Sequence, residues 1–342
     1  MSYSIDKIFP GIYERETIPS ILSTSTADGR KTLLFSKGAH SVGGILILRE
    51  SIQSLNLDNP LVWDDAQYTT AVNRAGKYFY IYATAAGLIL SANATVPAGY
   101  TASNSRKVGG FHCLCLSVGT ISGHSLTDFV TGDILPASIW DLNWRPVCRP
   151  GEMVYSAAAD VWVDIYLQSG TALTTASVFG ATITDTRDYW SHGDDLAAVG
   201  KRMLLDMEFS QIAYGSPEAT SIMGSADPGT TGGHVNTASR RIISDIGCED
   251  CTGVMHQWID GGHVYRNDDA SYAGGWSWKA AGSRGQQYTQ GANGAVGLLA
   301  GGNWDSGLRC GSRCRYASNT RSVTSSSNGS RGCARSQGGN KQ

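Results

Sequence analysis

The apolar run YFYIYATAAGLILSANA, from Tyr78 to Ala94 behind Lys77, is nearly long enough to cross a bilayer as a helix. Its interior argues otherwise. Tyr78, Tyr80 and Tyr82 alternate with Phe79 and Ile81, and Ala85-Ala86-Gly87 interrupts the run. Aromatic residues at a period of two, a small-residue break and a second short apolar run make a β-hairpin, with strands YFYIY and LILSA. A chain whose strongest apolar segment is a hairpin builds its core from short strands.

The rest of the chain follows suit. It has 342 residues, 42 of them glycine, with 9 Trp and 15 Tyr and only 16% charged residues. That length predicts two or three domains. Residues 1–40 are polar and mixed, with Pro10, Pro19 and a turn at Asp28-Gly29, and carry no apolar core of the kind a secretory signal needs. Residues 41–147 read as short strands: GGILILRE, the hairpin, and KVGGFHCLCLSV as a strand pair, with Pro97-Ala98-Gly99 as a turn. This is the pattern of a small β-sandwich or barrel. RPVCRPGE, Arg145 to Glu152, is a connector, with prolines at 146 and 150. Beyond it, residues 148–342 hold a strand at Val161–Leu167, a helix over about 194–214, and glycine-rich loops alternating with Trp258, Trp276, Trp278 and Trp304. One or two helices among many strands predict an α+β domain.

Composition and spacing exclude several chemistries. The net charge of −2 gives no bulk attraction to nucleic acid or anionic membrane. Eight cysteines are present. Cys248 and Cys251 form a CxxC, but Cys310 and Cys314 are spaced CxxxC, and scattered buried thiols explain the set better than a four-thiolate zinc site. His192, His234, His256 and His263 have no ligand spacing among them, and no Ser-His-Asp arrangement can be placed. Asn267-Asp268-Asp269 is a dense oxygen cluster, and a solvated turn accounts for it better than calcium does.

From Tyr316 to Ser330 the chain reads YASNTRSVTSSSNGS. By composition this is a linker. Its Tyr, Ser, Asn and Gly are equally the residues of antibody paratopes, where Tyr supplies rigid area and the small residues adaptable hydrogen bonds. Trp304 before it and Arg331-Gly332-Cys333 after it are residues of folded structure. Composition leaves both readings standing.

Four separated stretches break the tie. They are Pro97-Ala98-Gly99-Tyr100 with Ser105 to His112; Ser138 to Pro146 with Trp162 to Leu167; Gly200-Lys201-Arg202-Met203 with Glu208-Phe209 and Glu218 to Ser221; and Gly301-Gly302-Asn303-Trp304 leading to Gly311-Ser312-Arg313 and Ser330-Arg331-Gly332. In this order they resemble the variable proteins of diversity-generating retroelements, over roughly residues 75–335. The first seventy residues do not match. The resemblance implies a C-terminal C-type-lectin-like domain of the formylglycine-generating-enzyme-like subclass, preceded by the β-sandwich-like domain and the short N-terminal region. It implies a hypervariable receptor-binding protein, not an enzyme, at a phage tail tip or on a cell surface. It further implies a homotrimer, a cell-surface protein receptor, no cofactor and no membrane insertion.

In that family a reverse transcriptase misincorporates opposite template adenines. The positions aligned with its variable sites are Asn303, Asp305, Gly307, Arg309, Tyr316, Ser318, Asn319, Val323, Ser325, Ser327 and Asn328. Each is reachable from an Asn codon by changes at adenine. Trp304, Arg313, Arg331 and Gly332 between them read as fixed framework: Trp304 with its ring buried, Arg313 and Arg331 donating to loop carbonyls. Two rivals remain. Formylglycine-generating oxidases share the fold but use a CxxxxC pair, which Cys310 and Cys314 do not match. Residues 303–342 carry seven basic residues against Asp305 alone, which would suit non-specific nucleic-acid binding, but no nucleic-acid module accompanies them.

Overall fold

A computed structural model of the chain describes residues 21–22, 28–49, 51–265, 276–280, 286–290 and 295–337. The reading of the first twenty residues and the Asn267-Asp268-Asp269 cluster lie outside them. The chain divides into two units. Val118–Asp128 and Pro146–Ser336 form one, and Phe129–Arg145 with the chain up to Ser117 belongs to the other.

In the first unit the hairpin is present as expected, with Tyr78–Thr84 antiparallel to Gly87–Ser91. Phe79, Ile81 and Ala83 face a core shared with Phe111, Trp63 and Leu90, while Tyr80 packs edge-on against Trp140. Among the described residues no helix is long and apolar enough to cross a membrane. KVGGFHCLCLSV is one strand rather than two. Ser105–His112 pairs with Tyr78–Thr84 on one side and Trp140–Asp141 on the other, and Cys113 only bridges Ile134. The Val108-Gly109-Gly110-Phe111 motif has a steric reason. A Cβ on Gly110 would lie 2.6 Å from the Phe79 carbonyl oxygen and 2.7 Å from the Trp140 indole nitrogen. The break expected at residue 40 does not divide the core, because Ile21, Leu33 and Phe35 pack into the same cluster as Phe79.

The second unit is built on two four-stranded sheets. One runs in the order Met153–Ser156, Val161–Asp164, Gly332–Ala334, Arg202–Met203. The other runs Gly311–Tyr316, Ala295–Gly301, His256–Tyr265, Asn328–Ser330, the last pair parallel. The strand expected through Leu167 leaves its ladder after Asp164, whose carboxylate turns inward to Lys201 Nζ at 2.6 Å and to the Gly332 amide at 3.1 Å. The single expected helix is two, Tyr189–Ala198 and Asp206–Ile212. Asp188 caps the first by accepting from the Ser191 amide. Gly200, at φ 76°, ends that turn in the left-handed region, so that Arg202–Met203 can extend and pair with Gly332–Ala334.

Candidate functional site

Arg331 sits where the chain passes from one sheet to the other. It is fully buried. Its guanidinium donates to the carbonyls of Asp164 and Ile165 at 2.7 and 2.6 Å, to the Glu249 carbonyl, and through Nε to Gln257 Oε1 at 3.1 Å. One rigid fork thus ties together three chain segments that share no ladder at that point. Gly332 beside it cannot carry a side chain, since a Cβ would lie within 3 Å of Asp164, Lys201 and Leu196 at once.

Around this hub runs the segment from Asn303 to Asn328, and it is no free linker. Scaffold amides donate to its carbonyls: Gly297 to Asn319, Tyr189 to Arg321, Thr186 to Ser325, and His256 to Ser327, all at 3.0–3.1 Å. None of these bonds involves a side chain of the segment. Arg321 adds a fifth attachment. Its guanidinium is buried over the rings of Tyr189 and Trp190, at 4.4 and 5.1 Å from their centroids. Arg315 adds a sixth, donating to the Asp206 carbonyl at 2.9 Å and to Ser210 Oγ at 2.7 Å while pairing with the Asp206 carboxylate. At the front of the segment both carboxylate oxygens of Glu218 accept from the Ser312 amide at 3.1 Å, and the Ala219 amide donates to the Cys310 carbonyl.

Of the aligned variable positions, Asp305, Arg309, Tyr316 and Ser318 are exposed, and Asn303, Gly307, Asn319, Val323, Ser325 and Ser327 are half-buried. Gly307 has φ 51°, a conformation open to Gly and, among side chains, best tolerated by Asn and Asp. Asn328 is a correction. It is wholly buried, in parallel register with His256, because the Asn328–Ser330 strand lies inside the unit. Arg313 is a second correction. It is exposed and donates no hydrogen bond among the described residues, and Arg315, two residues on, does the tying instead. Trp304 is half-buried rather than enclosed, packed on the cluster of Leu167, Ile222 and Met255.

Two residues of this face carry no motif. Leu308, at the tip of the Gly307–Arg309 turn, is 85% exposed beside Arg309. His256 lies under the far end. Its ring meets that of Tyr316 at 5.1 Å between centroids and a tilt of 31°. Burial drives the His256 pKa down to about 4, so the imidazole is neutral, and its Nδ1 has no hydrogen-bond partner among the described residues. Tyr316 itself is 42% exposed. An exposed leucine reads as an ordinary surface residue in sequence, and His256 has no charged neighbour to mark it.

The rival chemistries find little here. Cys310 is buried and its thiol is pushed up to about 12, far from the thiolate a nucleophile needs. Among the described residues no group of three or more His, Cys, Asp or Glu is arranged to hold a metal. Of the seven basic residues from 303 onward, Arg321 and Arg331 are buried and Arg315 is paired with Asp206, so three of the seven are taken up by the fold while Arg309, Arg313 and Arg335 are exposed.

Residues 53–141 match the family model described as the Mtd second domain, and the fold is that of the major tropism determinants, mostly β-sheet with few helices. Solved structures of the U1 and M1 variants of Major Tropism Determinant are 24% identical. They superpose with TM-scores of 0.76 and 0.74, covering 98% and 93% of this chain and 88% and 83% of theirs. More particularly, the chain is 29% identical over 274 residues to the tail fiber receptor-binding protein of Bordetella phage BPP-1, across 73% of this chain and 68% of that protein. The likeness read over residues 75–335 is thereby borne out as one to the tropism determinants, and it reaches further towards the N-terminus than expected, since the family model begins at residue 53.

Proposed function

We propose that this chain is a receptor-binding tropism determinant of a phage tail. In this reading the second unit, Pro146–Ser336 with Val118–Asp128, forms a C-type-lectin-like domain of the formylglycine-generating-enzyme-like subclass, and the first unit forms a β-sandwich-like domain. The exposed and half-buried positions from Asn303 to Ser327 are the ligand-binding face, diversified at template adenines, with Leu308 as a constant apolar contact beside them. The receptor is a cell-surface protein, the assembly a homotrimer, and no catalysis is involved. The observation that carries the reading is the pattern of attachment: backbone bonds and two arginines hold the segment, leaving the side chains of Asp305, Arg309 and Tyr316 turned outward. The Bordetella phage relative, a tail fiber receptor-binding protein, agrees with it.

The test is to pan the labelled chain against a panel of bacterial strains. A combined Asp305→Ala, Arg309→Ala, Tyr316→Ala and Ser318→Ala variant is expected to lose adsorption to any strain the parent binds, with its melting temperature nearly unchanged. Adsorption that survives this variant intact counts against the proposal.

A further inference from the structure

We propose that His256 is a positioning residue for the receptor face: a constant platform that holds the ring at position 316 in its binding orientation before a receptor arrives. The inference rests on the receptor-binding reading above and names how its central aromatic is organised.

Tyr316 ends the Gly311–Tyr316 strand and is in register with Leu299, so its backbone is set by the sheet. Its ring is set by one aromatic contact, the tilted stack on His256, at a separation usual for offset aromatic pairs. His256 is itself immobile. Its amide donates to the Ser327 carbonyl, its backbone is in register with Asn328, and the residue is more than nine-tenths buried. A buried histidine normally serves through hydrogen bonds or charge. Here Nδ1 has no partner among the described residues, and burial keeps the ring neutral. What the residue offers is a flat apolar face. It lies outside the segment from 303 to 328, so the platform stays when position 316 changes. From an AAC codon, changes at adenine give Tyr, Phe and His, all of which can stack. They also give Ser, Asp and Gly, which cannot. Position 316 thus alternates between a rigid aromatic anchor and an open floor formed by His256. Fixing a side chain beforehand removes an ordering cost from binding, equivalent to about threefold to tenfold in affinity.

The experiment places 3-fluorotyrosine at position 316 of the full chain and reads its fluorine resonance without any receptor. The parent and His256→Phe are expected to show a ring-current-shifted, broadened line, and His256→Ala a line at the shift of free fluorotyrosine. Should His256→Ala not fold, His256→Leu against His256→Phe reads the same contrast. In adsorption to a strain that the parent binds, His256→Ala is expected to weaken capture about threefold to tenfold, and His256→Phe to restore it. A fluorine resonance indifferent to residue 256, or equal capture by the Ala and Phe variants, overturns the platform. Tyr316→Ala leaving capture unchanged while the fluorine contrast holds would instead overturn the receptor role of this face, leaving the stack established.

Discussion

At the scale of the residue, Arg331 and Arg321 show how side chains take over work that secondary structure usually does. Arg331 reaches four acceptors on three segments, and no lysine can match that reach, because three donors on one nitrogen cannot span the planar fork. Arg331→Lys is therefore expected to lose at least ~2 kcal/mol, as buried carbonyls go unpaired, read as a lower urea midpoint at unchanged slope. Sequence reasoning found Arg331 because a framework motif contains it. It assigned the neighbouring tie to Arg313, and the structure gives it to Arg315. Nothing in the local sequence separates these two. They stand two residues apart, the ladder is interrupted between Gly311 and Arg315, and the decision falls to the distant Asp206 and Ser210.

At the scale of the element, the segment from 303 to 328 separates path from surface. Arg321→Ala removes a buried cation from two aromatic rings and is expected to destabilise the chain by about 2 kcal/mol. Ser325→Ala removes a hydroxyl that bonds only within the segment, to Ser327 Oγ and the Ser327 amide, and is expected to stay within about 0.5 kcal/mol. Thermal melts of the two variants side by side check this, and equal shifts would contradict it. The legible elements were those with strict periodicity, the hairpin at Tyr78–Ser91 above all. Those that went astray depend on distant partners. The helix expected over 194–214 breaks at Gly200 so that Arg202–Met203 can pair with Gly332–Ala334, well over a hundred residues on. Asn328 looked like its polar neighbours, and only its pairing with His256 takes it inside.

At the scale of the whole molecule, the family likeness was readable because four short motifs recur in order, while the placement of Val118–Asp128 with the second unit left no mark on local composition. A face whose strong anchors are one tyrosine and one arginine, Tyr316 and Arg309, among an exposed leucine, an aspartate and small residues is expected to bind weakly as a single copy and to hold when several copies act together. Light scattering at micromolar concentration is expected to give the mass of three chains. A monomer there would remove the means of amplifying a weak face.

The direction of the bonds along the segment has one more consequence. The donors at Gly297, Thr186 and His256 lie outside it, and what they bind are carbonyls, which every amino acid has. Variants at Asn319, Ser325 and Ser327 are therefore expected to misfold seldom, and in the reading proposed above the share of random trials that reach a host as intact protein stays high.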